Sequence, residues 1–130
     1  MSVLVVEDDR ITARVLDKQL RASGHEVRVV HAGAAAWELL CAPQPPLVAV
    51  LDWTIPDISG PELCRKVRAR ADVPYTYLLL LTGRDQAGDI LQGMGAGADE
   101  YIKKPYSLED LLQRVAAGLH LARSRRSLAP

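Results

Sequence analysis

The sequence predicts an α/β domain, a five-stranded parallel sheet with helices on both faces. Three observations carry that expectation. Short apolar runs alternate five times with stretches of helical pattern. The first, third and fourth runs are continuously apolar, as in strands buried on both faces. Strands that alternate with helices in this way join through right-handed crossovers into a parallel sheet. With 130 residues, 48% hydrophobic and 25% charged, the chain has the size and composition of one folded domain.

The expected strands are Val3–Val6, Val27–Val30, Leu47–Leu51, Tyr77–Leu81 and a weaker Tyr101–Ile102. The first helix carries Ile11, Val15, Leu16 and Leu20 on one face and stops at Gly24. A second, with Trp37, Leu39 and Leu40, ends before Pro43-Gln44-Pro45-Pro46. Leu63, Cys64 and Val67 mark a third, with Pro61 in its first turn. The fourth, Gln86 to Ala98, is weak: Gly88, Gly93, Gly95 and Gly97 each cost about 1 kcal/mol against Ala, and only Ile90, Leu91 and Met94 offer apolar anchors. Such an element is the natural place for motion. The last helix has Leu108, Leu111, Leu112, Val115 and Leu119 in period, with Ser107 as N-cap.

Composition excludes several classes. Sixteen basic and sixteen acidic residues leave no net charge, which argues against direct binding of nucleic acid or a membrane surface by the overall field. Runs such as Tyr77–Leu81 are too short to span a bilayer, and MSVLVVEDDR lacks the basic and apolar regions of a signal peptide. Cys41 and Cys64 are isolated, so neither a disulfide framework nor a zinc site is indicated. A reduced, cytoplasmic domain is the expectation.

Ligands of open α/β sheets bind beyond the carboxyl ends of the strands. There the sequence puts Glu7, Asp8 and Asp9, then Asp52, Thr82 and Lys104. Clustered carboxylates repel unless a hard cation or a proton relieves them, and Mg²⁺ favours one or two carboxylates together with water and phosphate oxygens. Thr82 and Lys104 remain for other phosphoryl oxygens, and one carboxylate can act as nucleophile. Asp9 is better explained as a helix cap, and His25, His31 and His120 as ordinary packing or surface residues. Arg123, Arg125 and Arg126 suit a solvated helix end.

Four linked motifs make the chain resemble the receiver domains of bacterial two-component response regulators, from Val3 to about Leu121. They are VLVVEDD, LDWTIPDISG, LLTGR and GADEYIKKP. The resemblance implies a single flavodoxin-like, doubly wound (βα)5 domain with strand order 2-1-3-4-5. It also implies that Asp52 is the phosphoacceptor, and that Asp8 ligates Mg²⁺ directly and Glu7 largely through water. The backbone carbonyl of Thr54 would be a further ligand, with Asp52 itself completing the set. Thr82 and Lys104 would bond phosphoryl oxygens, Thr82 and Tyr101 would form the switch pair, and Pro105 would follow a cis peptide bond. Departures are modest: Gly83 replaces the usual Ala, Tyr106 the common Phe, and Trp53 is a bulky neighbour of the acceptor.

The implied function is a switch, not a metabolic enzyme. A histidine kinase or phosphotransfer protein would donate the phosphoryl group. The surface formed by the fourth helix, fifth strand and last helix would control an output domain or effector, or a homodimer. A Mg²⁺-dependent phosphatase or phosphotransferase on a similar sheet is the alternative. Such enzymes use a second acid close to the nucleophile, and here Trp53 and Thr54 follow Asp52. A degenerate receiver would lack an essential residue, and none is lost. Residues 1–121 are assigned to the receiver, and 122–130, with the tail HLARSRRSLAP leading into them, to a C-terminal tail or the start of a linker.

Overall fold

The structure, a computed structural model, describes residues 2–83 and 87–128. Five strands, β1 (Val3–Val6), β2 (Val27–Val30), β3 (Val48–Asp52), β4 (Tyr77–Thr82) and β5 (Glu100–Lys103), form one parallel sheet in the order β2-β1-β3-β4-β5. Between and after them come α1 (Arg10–Ala22), α2 (Gly33–Leu40), α3 (Gly60–Arg68), α4 (Ala87–Gly95) and α5 (Leu108–Leu128). The expected fold class and strand order are those observed. Asp52 and Thr82 are the last residues of their strands rather than the first beyond them.

Strand side chains alternate between two cores. Leu4, Val6, Ala49, Leu51, Leu78 and Leu80 face α2 and α3, against Ala36, Leu40, Leu63, Cys64 and Val67. Val3, Val5, Val48, Val50, Leu79 and Leu81 face α1 and α5, against Leu16, Leu20, Leu111, Val115 and Leu119. Both faces are covered, hence the continuous apolar runs of β1, β3 and β4. Asp9, Ser59 and Ser107 accept from the backbone N–H groups of Thr12, Glu62 and Asp110, capping α1, α3 and α5. Gly24, at φ +91°, turns the chain out of α1.

Three expectations about helices need correction. In α1 the buried stripe is Ala13, Leu16 and Leu20, while Ile11 is 77% exposed and Val15 also faces solvent. These two lie on the adjoining outer stripe. In α4 Leu91 and Met94 are exposed too, and do not anchor the helix. Gln86 and the Ile90 side chain lie outside the described residues. Gly95 is the last helical residue and Gly97, at φ +105°, lies beyond the helix. The helix seats itself on the sheet through small residues instead. A Cβ on Gly93 would come 3.2 Å from Leu80, 3.3 Å from Trp53 and 3.5 Å from Tyr101.

The third correction concerns α5, which continues through Leu128 with Ala122 fully buried. Arg126 is not simply solvated. Its Nε donates to the Tyr75 carbonyl (2.7 Å) and its Nη2 to those of Pro46 (2.8 Å) and Pro45 (3.1 Å). A guanidinium fork satisfies backbone carbonyls that have no strand partner there. Ala129 and Pro130 are outside the described residues.

Candidate functional site

Sheet register places the candidate residues at one level. Val6 pairs with Leu51, so Glu7 and Asp52 come next on adjacent strands. Asp52 pairs with Leu81, and Thr82 with Lys103. The strand order reverses between β1 and β3, the place where open α/β sheets bind their ligands. One carboxylate oxygen from each of Glu7, Asp8 and Asp52 lies within 4.8 Å of the others. Asp8 is exposed, while Glu7, Asp52 and Thr82 are buried. The Lys104 Nζ donates to Asp52 Oδ1 at 3.1 Å, and the Lys104–Pro105 peptide bond is cis.

The acids differ in what offsets their charge. Asp52 has the Lys104 ammonium beside it. Glu7 is almost wholly enclosed next to Asp52, and one of its oxygens accepts from the Asp9 N–H at 3.3 Å. Burial, followed by the Asp52 carboxylate, pushes the Glu7 carboxyl up to about 7. Burial, and then the Glu7 and Asp52 charges, also raise the Tyr106 phenol, so the ring that replaces the common Phe stands within the field of this cluster.

These residues fit a hard divalent cation. Three convergent oxygens, one pair too crowded to ionise freely, form a donor set that a small cation relieves, with one solvent-facing member leaving room for water. Lys104 is on the Asp52 side of the cluster, where it can meet a second anion. Thr82 closes the end of β4 and is buried. Thr54 is exposed in the loop after Asp52. Tyr101, half-buried, meets Trp53 edge to face, with centroids 6.4 Å apart at 80°. Trp53 therefore points toward β5 and α4 and is itself buried.

Two residues of this region have contacts to which the sequence assigned no role. His31 Nδ1 lies 2.9 Å from the Glu7 carbonyl oxygen, and Asp57 accepts from the N–H groups of Gly33 (2.7 Å) and Ala34 (2.9 Å). Both contacts join residues more than 20 apart in sequence, beyond any local pattern. Asp9, by contrast, caps α1 through the Thr12 N–H and hydroxyl, as expected.

A doubly wound sheet that gathers carboxylates, a hydroxyl and a lysine at its switch point has the chemistry to meet a divalent cation and a phosphoryl group. The family model described as the response regulator receiver domain matches residues 3–116, and the chain belongs to that family. It is 38% identical over 118 residues to the response regulator MprA of Mycobacterium avium, covering 90% of this chain and 50% of that one. It is 36% identical to the phosphate regulon transcriptional regulatory protein PhoB of Rhizobium meliloti, over 93% of this chain and 53% of that one. The chain thus spans about half the length of these curated relatives. Among solved structures, the receiver domain of the Francisella response regulator 1452 superposes with a TM-score of 0.85. It is 27% identical, with 92% of this chain and 97% of that one covered. No described helix is long and apolar enough to cross a membrane.

Proposed function

We propose that Asp52 is the phosphoacceptor of this receiver domain and takes its phosphoryl group from a histidine kinase or phosphotransfer protein. An Asp52 carboxylate oxygen forms a bond to phosphorus as the phosphorus–nitrogen bond of the donor phosphohistidine breaks. The electron pair returns to the imidazole, leaving an acyl phosphate on the domain. Glu7, Asp8, Asp52 and the Thr54 carbonyl would hold Mg²⁺, which when bound supplies neutralisation of the phosphoryl charge. Lys104 leaves its ion pair with Asp52 to meet one phosphoryl oxygen, and the Thr82 hydroxyl meets another. Thr82 and Tyr101 then form the switch pair.

The observation that carries this reading is the Lys104–Asp52 contact at 3.1 Å beside three convergent acidic oxygens. A metabolic turnover is no part of it; the domain catalyses only gain and loss of its own phosphoryl group. The face made by α4, β5 and α5 is the response surface, toward an output domain, an effector or a second copy. Residues 1–121 form the receiver proper and 122–130 a C-terminal tail or the start of a linker, of which residues 122–128 continue α5 and are tied down by Arg126. We assign the domain to the cytoplasm of a bacterium. Acetyl phosphate with Mg²⁺ tests the assignment by intact mass. Wild type should gain one phosphoryl group and Asp52→Asn none, and equal labelling of the two rejects Asp52 as acceptor.

A further inference from the structure

The loop between β3 and α3 must hold Thr54 still beside Asp52, yet Thr54 and Pro56 face solvent. Its near end is fixed to the sheet, since the Trp53 N–H donates to the Leu81 carbonyl and the Gly60 N–H to the Trp53 carbonyl, each at 2.8 Å. Its far side is fixed to another element. α2 begins after Ala32, which has no side chain able to cap it. The vacant role falls to Asp57, whose two oxygens each take one N–H of the first turn, from Gly33 and Ala34. These two backbone bonds hold the Asp57 carboxyl below its ordinary range, and a carboxylate suits the positive end of a helix.

The fit is close enough to dictate a glycine. A Cβ on Gly33 would lie 2.0 Å from Ile58 Cγ2, so the loop rests directly on the helix start. The same β2–α2 turn reaches the other acidic loop, because His31 contacts the Glu7 carbonyl oxygen at 2.9 Å. One short turn, from His31 to Ala34, is therefore bonded to both loops that bear the candidate ligands.

We propose that Asp57 is a positioning residue: by capping α2 it braces the acceptor loop against the turn that also holds Glu7, and so sets the Thr54 carbonyl relative to Asp52. This rests on the reading of Asp52 as acceptor and of the Thr54 carbonyl as a ligand. Outer-shell partners of this kind commonly alter metal affinity by about tenfold or more when removed.

The test follows Mg²⁺ binding by Trp53 fluorescence in a Trp37→Phe background, with acetyl phosphate labelling alongside. Asp57→Ala should raise the half-saturating Mg²⁺ concentration about tenfold. Asp57→Asn, which keeps one acceptor oxygen, should recover part of the loss. Gly33→Ala, which displaces Ile58, should weaken Mg²⁺ binding through a different atom. Thr76→Ala is the control for stability alone: it loses a buried hydrogen bond to the Pro46 carbonyl at the far end of the sheet. It should leave the titration unchanged. If Asp57→Ala and Thr76→Ala lower the thermal midpoint alike and neither changes Mg²⁺ binding, Asp57 is only a helix cap. Failure of the underlying reading looks different, since the wild type would then not label or Asp52→Asn would.

Discussion

Glu7 shows most directly how burial sets chemistry at a single residue. Its carboxyl titrates near 7 when folded, against 4.5 in the unfolded chain. The folded state therefore binds more protons between those values, and the stability of the metal-free domain falls as pH rises through that window. The expected outcome is a higher thermal midpoint at pH 5.5 than at pH 8 without metal. Mg²⁺ should restore the loss at pH 8, and Glu7→Gln should flatten the dependence. Asp9 and Asp57, whose carboxyls are held low by backbone and hydroxyl donors, titrate below this window and do not interfere. The acidic pair and Lys104 were legible in the sequence because each follows an apolar run that ends a strand. Asp57 and His31 were not, since their partners are backbone groups brought near only by the folded sheet.

At the scale of elements, α4 separates two roles for glycine. Gly88 has open space around it, whereas Gly93 sits against Leu80, Trp53 and Tyr101. Gly88→Ala should stabilise by up to about 1 kcal/mol, the gain in helix propensity. Gly93→Ala should forfeit that gain and cost about 1 kcal/mol or more, because a well-packed site resists an added methyl. Urea unfolding of the two variants measures both. Counting glycines read α4 as loosely held, and that count could not distinguish a residue that weakens a helix from one that lets it approach the sheet. Periodicity was similarly blind in α1, where Ile11 and Val15 fit an apolar face that the fold turns outward. In α3, where Leu63, Cys64 and Val67 are the buried stripe, pattern and packing agree.

Over the whole molecule, a packed path runs from Asp52 to the face of α4 and β5 that we propose as the response surface. Asp52 ends β3; Trp53 follows it and meets Tyr101 of β5, and both rings touch the space at Gly93 of α4. The alternation of runs made the α/β class plain, while strand order came only with family resemblance, since local patterns do not encode which strands are neighbours. The reach of α5 to Leu128 was hidden for a related reason: its last turns are held by Arg126 on carbonyls of distant loops rather than by apolar spacing. A switch built on the Trp53–Tyr101 path can move only as far as a phosphoryl group on Asp52 favours one arrangement over the other. Hydrogen exchange with and without beryllofluoride, a phosphoryl mimic, tests this most directly. Changed protection through residues 87–98 and around Tyr101, absent in Asp52→Asn, is the predicted result. Changes confined to the loops bearing Asp8, Asp52 and Lys104 would contradict it.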